Sequence, residues 1–337
     1  MPASYVVVLA ASMMGQAPDL PPFVKDHAKT MTFYYQSPDP ALGPKLLKEL
    51  LKKDNLEHPW FAKNEYALFL NAALLGDIGA GRPKIVREYE AAFADAPPAG
   101  RRIIVRSLMN CGDKETLKQI DAWLADSKYA DSRKELESLK KHLEDPERKD
   151  ARDRAAKSPD DLDLLWGNFF ITGEYAPISR IMDVFDLPDA EDNRVLKQVA
   201  RWSFGSNLQQ HPKLMELARK HAKDRPQASR KVVEEVIRTL DEVVGRWLSQ
   251  DKDEEPLVFE KGGAFKCGFI KEKGEWVMAS GAYVLTADGK IATRAEYKGS
   301  TITQTFTLKD GVLIGPRGPN PKVEWKKEKS GEKKSDG

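Results

Sequence analysis

The sequence predicts an α+β protein in two segregated domains. An N-terminal α-helical repeat array, α-solenoid-like, is followed by a small antiparallel β-meander or partial barrel. Three observations predict it. Apolar residues recur at helical period from residue 21 to about residue 250. Within that stretch one helix–break–helix pattern recurs. After residue 250 the apolar period falls to two and turn signals crowd together.

Residues 1–20 read as an export signal. Residues 5–14 are uncharged and mostly apolar, and Gly15-Gln16-Ala17 offers small side chains at a cleavage-like spacing. Against that reading, no Lys or Arg precedes the run, and Pro18 would follow the cut. An export signal places the protein in the periplasm or outside the cell. The alternative is a buried N-terminal segment of a cytoplasmic protein.

The helical array spans residues 21–250. "GPKLLKELLKK" sets Leu46, Leu47, Leu50 and Leu51 on one stripe with lysines opposite. "RKVVEEVIRTLDEVVGRWL" does the same with Val232, Val233, Val236, Ile237, Leu240, Val243, Val244 and Leu248. Prolines punctuate the stretch, several of them where a first helical turn would begin.

Four segments share one grammar, an apolar helix, a Gly or Asn break and a shorter amphipathic helix: "NAALLGDIGAGRPKIVREYEAAF", "VRSLMNCGDKETLKQIDAWL", "WGNFFITGEYAPISRIMDVF" and "ARWSFGSNLQQHPKLMELARKHA". The breaks centre on Gly76, Gly112, Gly173 and Asn207, residue types that accept a left-handed backbone. Their intervals are 36, 61 and 34 residues, a period that fits helix-pair repeats of the TPR or HEAT kind. One pair cannot bury its apolar face alone, whereas stacked pairs share a core. "TGEYAP" is therefore expected to be a helix corner, with Glu174 solvated and Tyr175 packed back onto the next pair.

Residues 251–325 read as the β module. "DKDEE" is an acidic hinge, and "KEKGE", "ADGK", "YKGS" and "KDGV" are turn signals at hairpin-like intervals. About six strands are expected. In "TITQTFT", Ile302, Gln304 and Phe306 face one side and the threonines the other. Residues 326–337 form a charged tail with the composition of a disordered segment.

The 54 Lys and Arg nearly cancel the 52 Asp and Glu, for a net charge of +2. That balance argues against a nucleic-acid binder. No apolar run approaches the roughly 18 to 20 residues of a membrane span. Cys111 and Cys267 form no CxxC pair. They read as small buried side chains, and one long-range disulfide stays open if the chain is exported.

The residues read no cofactor or metal site. "GDIGAGRPK" follows a helix and lacks the glycine spacing of a phosphate loop, which needs a preceding strand. His27, His58, His142, His211 and His221 form no metal-type cluster and suit caps or surface. No G-x-S-x-G elbow occurs, nor a pairing of Cys or Ser with a His. The carboxylate-rich stretches sit at a linker and at helix starts, where acids suit the helix dipole. Among the aromatics, Tyr34, Tyr35, Trp60, Trp166, Tyr175 and Trp202 are candidates to line a groove for a partner. The competing assignment is that they fill seams between stacked helices.

Residues 30–225 resemble a bacterial family of uncharacterised helical-repeat proteins, through "FYYQSPDPALGPKLLKELL", "FFITGEYAPISRIMDVF" and "ARWSFGSNLQQHPKLMELA". That family implies helix pairs and carries no activity over. "GEWVMASGAYVLTADGKI" resembles the lipocalin-like β modules of some secreted bacterial proteins. Together these readings favour a non-enzymatic binding or scaffold protein that presents its helical surface to a protein partner. The alternative is a small-molecule carrier or enzyme with a pocket in the β module or at the domain junction.

Overall fold

A computed structural model of the chain describes residues 22–62, 65–148, 153–250, 255–272, 275–317 and 320–328. The expected export segment and most of the charged tail lie outside the described residues, as does the turn of "KEKGE". Packing divides the chain into one unit ending at Ile181 and another beginning at Met182. No helix among the described residues is long and apolar enough to cross a membrane.

The first unit is helical. Its elements are α1 (Pro22–Thr32), α2 (Leu42–Leu50), single turns at Lys53–Leu56 and Pro59–Ala62, and then α3 (Glu65–Gly79), α4 (Pro83–Phe93), α5 (Pro98–Cys111), α6 (Lys114–Ala125), α7 (Arg133–Glu144), α8 (Pro159–Thr172) and α9 (Tyr175–Asp183). Pro83, Pro98 and Pro159 open their helices, where a missing N–H costs nothing. Asp113 caps α6, accepting from the Glu115 and Thr116 amides at 3.0 and 2.9 Å. Leu46, Leu47 and Leu50 are buried, as the stripe on α2 requires.

α3 is apolar on nearly every side, and its place in the unit explains why. It packs against α5 on one side and α8 on another, so it has no wet face. Glycines set both approaches. A Cβ at Gly76 would fall 2.5 Å from the Ser107 carbonyl oxygen of α5, and one at Gly167 of α8 would fall 2.9 Å from Leu74 of α3.

Two of the four expected corners move. Gly76 lies inside α3, and the chain turns instead at Gly81, whose φ is +69°. Asn207 lies inside a helix of the second unit, its amide donating to the Ser203 carbonyl at 2.9 Å. Gly112 does follow the end of α5, though with extended backbone, and Gly173 ends α8 in the left-handed conformation, with φ at +66°. "TGEYAP" is a helix corner, with Glu174 exposed and Tyr175 half-buried.

The second unit holds α10 (Glu191–Gln210), α11 (Pro212–His221), α12 (Gln227–Val243) and eight strands. The strands are β1 (Gly245–Ser249), β2 (Pro256–Phe259), β3 (Ala264–Glu272), β4 (Glu275–Leu285), β5 (Ile291–Tyr297), β6 (Ser300–Lys309), β7 (Val312–Arg317) and β8 (Asn320–Lys327). All pairs are antiparallel in chain order, and β1 pairs with β8 to close the barrel. The expected meander of about six strands is thus an eight-stranded closed barrel.

The largest sequence–structure difference falls at the start of β1. The apolar stripe that in sequence runs on through Leu248 stops at Val243, because Trp247 and Leu248 serve a strand. Val243, Val244, Trp247 and Leu248 satisfy either period, and pairing decides: without β1, β8 would present a bare edge. The Trp247 indole secures the join, its Nε1–H donating to the Val243 carbonyl at 2.8 Å.

The turns follow the expected chemistry. Lys298-Gly299 and Asp310-Gly311 have positive φ at both positions, as two-residue hairpins of type I′ require. On β6, Ile302, Gln304 and Phe306 alternate with exposed threonines, and the Gln304 amide donates to the Pro316 carbonyl at 3.0 Å.

Candidate functional site

The barrel interior is packed rather than hollow. Trp247, Phe259, Phe265, Tyr283, Phe306 and Trp325 are all buried within it. Phe259 meets the rings of Phe265, Tyr283 and Phe306 at 4.9, 5.1 and 6.1 Å, and Phe306 meets Trp325 at 5.3 Å. These contacts are tilted or edge-to-face, the arrangements aromatic quadrupoles favour.

Open space lies instead where the three helices of the second unit meet the β2–β3 turn. A groove of about 700 Å³ runs there, within the roughly 300–1,000 Å³ range of small-molecule sites. Leu208 and Leu240 form buried parts of its wall, with Met215 and Val244 half-buried beside them. Each has a sequence cause: Leu208 ends the apolar face of α10, Met215 lies on α11, and Leu240 belongs to the stripe on α12.

The β2–β3 turn reaches the groove because Gly262 and Gly263 both adopt φ of +87°. Gly263 then accepts from the Tyr283 amide at 2.8 Å, and a Cβ at this position would approach the Gln209 carboxamide. Four polar features face this apolar wall. The Tyr283 hydroxyl donates to the Glu260 carbonyl at 3.2 Å. Burial pushes its phenol up to about 12, with the Gln209 amide pulling the other way, so it remains a donor at neutral pH. Arg219 and Asp241 form an exposed pair, one guanidinium nitrogen donating at 2.8 and 2.7 Å to the two carboxylate oxygens. The fourth is Gln209, whose buried Nε2 lies beside the Tyr283 hydroxyl without forming a well-aligned hydrogen bond.

Among the described residues that line the groove there is no Ser, Cys or His. The groove offers an apolar wall, a buried amide and a charged lip that includes Lys261. His211 stands at the α10–α11 junction. It is the cap residue between the two helices, through its backbone and not its side chain, and it is fully buried rather than on the surface; burial lowers its imidazole to about 4. Among the described residues no group of three or more His, Cys, Asp or Glu could hold a metal ion.

The aromatic candidates fall in other places. Tyr34, Trp60 and Trp166 are buried in the first unit. Tyr35 and Tyr175 are half-buried there, and Trp202 is half-buried on α10. Tyr35 and Trp166 both pack on Phe169, with ring centroids 5.3 and 6.2 Å away. Cys111 and Cys267 are free and buried. The groove residues escape sequence reading because Gln209 looks like one polar residue at a helix end. The double glycine at 262 and 263 is the only local signal. No family model matches the chain, and no curated protein or solved structure matches it significantly.

Proposed function

We propose that the protein is a non-enzymatic binding protein whose second unit takes a small, mostly apolar molecule with a carbonyl or carboxylate head. The observation that carries this reading is Gln209: a buried amide N–H, beside the Tyr283 hydroxyl but without a well-aligned acceptor, on the wall of an apolar groove. Such a donor costs stability unless something accepts from it, and a ligand head group would. The packed barrel supports the same choice, since aromatic rings fill its interior and the groove offers apolar space.

Calorimetric titration of the full chain with medium-chain fatty acids and the matching alkanes tests it. The acids are expected to bind and the alkanes to bind more weakly. Gln209→Leu is expected to weaken the acids about tenfold, the worth of one buried hydrogen bond. Absence of binding by every acid, or equal binding to the variant, overturns the reading.

A second reading treats the first unit as an α-solenoid-like array, of the helical-repeat kind, that offers its surface to a protein partner. It is supported by one core that continues from Phe23 through Leu139. Partner capture with the full chain tests it, and recovery of nothing above background would end it. Residence in the periplasm or outside the cell belongs to this proposal, and the mass of the mature N-terminus checks it.

A further inference from the structure

The corners of the first unit converge on a second cavity, of about 600 Å³. The last turns of α3, α5 and α8 bring Asp77, Asn110 and Asn168 to its wall. Asn168 is the anomaly. It is 3% exposed on a helix that is otherwise largely apolar, and its buried side-chain Oδ1 has no hydrogen-bond partner among the described residues. The Thr172 hydroxyl bonds the Asn168 backbone carbonyl at 2.8 Å and leaves the amide alone. A carbonyl acceptor without a donor is costly to bury, and here the side chain borders open space.

The inner part of this cavity is rich in acceptors. Helix C-termini carry partial negative charge, and three of them end here. The Asp77 carboxylate adds a full charge and accepts from the Asn110 amide at 3.3 Å. Two of the last-turn carbonyls are already met, Ile78 by Arg82 at 2.6 Å and Met109 by His142 at 3.0 Å. The rim has the opposite character. Arg148 and Arg154 line it, both exposed, and neither guanidinium has an ion pair among the described residues. Glu174 is the acid at that rim. Acceptors within and cations at the mouth suit neither a simple anion nor a simple cation.

We propose that this cavity binds a small zwitterion of the amino-acid type. Its ammonium donates to Asn168 Oδ1 and faces Asp77, and its carboxylate meets Arg148 and Arg154, whose planar forks match carboxylate geometry. The site is separate from the apolar groove and independent of it.

The test is calorimetric titration of the full chain with individual proteinogenic amino acids. For each that binds, the corresponding amine lacking the carboxylate and the acid lacking the amine follow. At least one amino acid is expected to bind, with both truncated analogues about tenfold weaker. The double variant R148Q/R154Q, exposed and harmless to the fold, is expected to lose about tenfold for the amino acid and little for the amine. Asn168→Leu is expected to lose affinity for the amino acid and the amine alike. Absence of binding by every amino acid overturns the proposal. So does an acid that binds as well as its amino acid, or an arginine double variant that binds unchanged.

Discussion

Gly76 on α3 lies against Ser107 on α5 so closely that a Cβ would come within 2.5 Å of the Ser107 carbonyl oxygen and 2.7 Å of the Asn110 Cβ. Backbone meets backbone here, so no side chain can swing away. Gly76→Ala is expected to destabilise by about 1–3 kcal/mol, as other overpacked cores do. Gly81 is the contrast, a turn glycine at φ +69° with nothing within 4 Å. Gly81→Ala is expected to cost about 1 kcal/mol, through backbone strain alone. Urea midpoints of the two variants separate crowding from strain.

Phe306 anchors the barrel interior. Its ring touches those of Phe259 and Trp325 and fills the space beside Gly315, where a Cβ would meet it at 2.4 Å. Phe306→Ala is expected to cost about 3–5 kcal/mol. Gly315→Ala is expected to push the ring aside and disturb the tryptophan environment. Near-ultraviolet circular dichroism and the denaturation midpoint together check this pair.

His211 makes stability depend on pH. Its imidazole is lowered by burial from the usual 6.5 to about 4, so the unfolded chain takes up a proton before the folded one does. The contribution is therefore fully present above about pH 6.5 and is lost as pH falls toward 4. A shift of that size is worth about 3 kcal/mol across the window. Stability measured in urea at a series of pH values is expected to fall over that range in the wild type. A His211→Asn protein that still folds is expected to show a flatter profile.

Both thiols are held back by burial, which pushes Cys111 and Cys267 up to about 12. The thiolate is the reacting form, so neither is expected to label with a thiol reagent in the native protein at pH 8. Both are expected to label on unfolding in urea. Rapid labelling of either residue in the native chain would contradict this burial.

Much of the fold was legible in local pattern. Periodic leucines and valines marked helices, Gly173 marked a left-handed stop, and Lys298-Gly299 and Asp310-Gly311 marked turns between strands, because each depends on neighbours within a few residues. Gly76 and Asn207 misled for the same reason. A glycine placed for close packing and an asparagine bonded one turn back look, in sequence, like helix ends. The groove and the corner cavity were not legible, since Gln209 and Asn168 acquire meaning only from what surrounds them.

By itself the sequence determined the helical first part, the β-rich second part and the turns between strands, all consequences of side-chain period and backbone preference. Only the tertiary structure decided that Trp247 belongs to a strand, that the barrel closes through β1 and β8, and that α3 sits between α5 and α8. The physical reason is the same in each case. Edge pairing, close backbone approach and the burial of an amide are settled by residues far away along the chain, and no local window contains them.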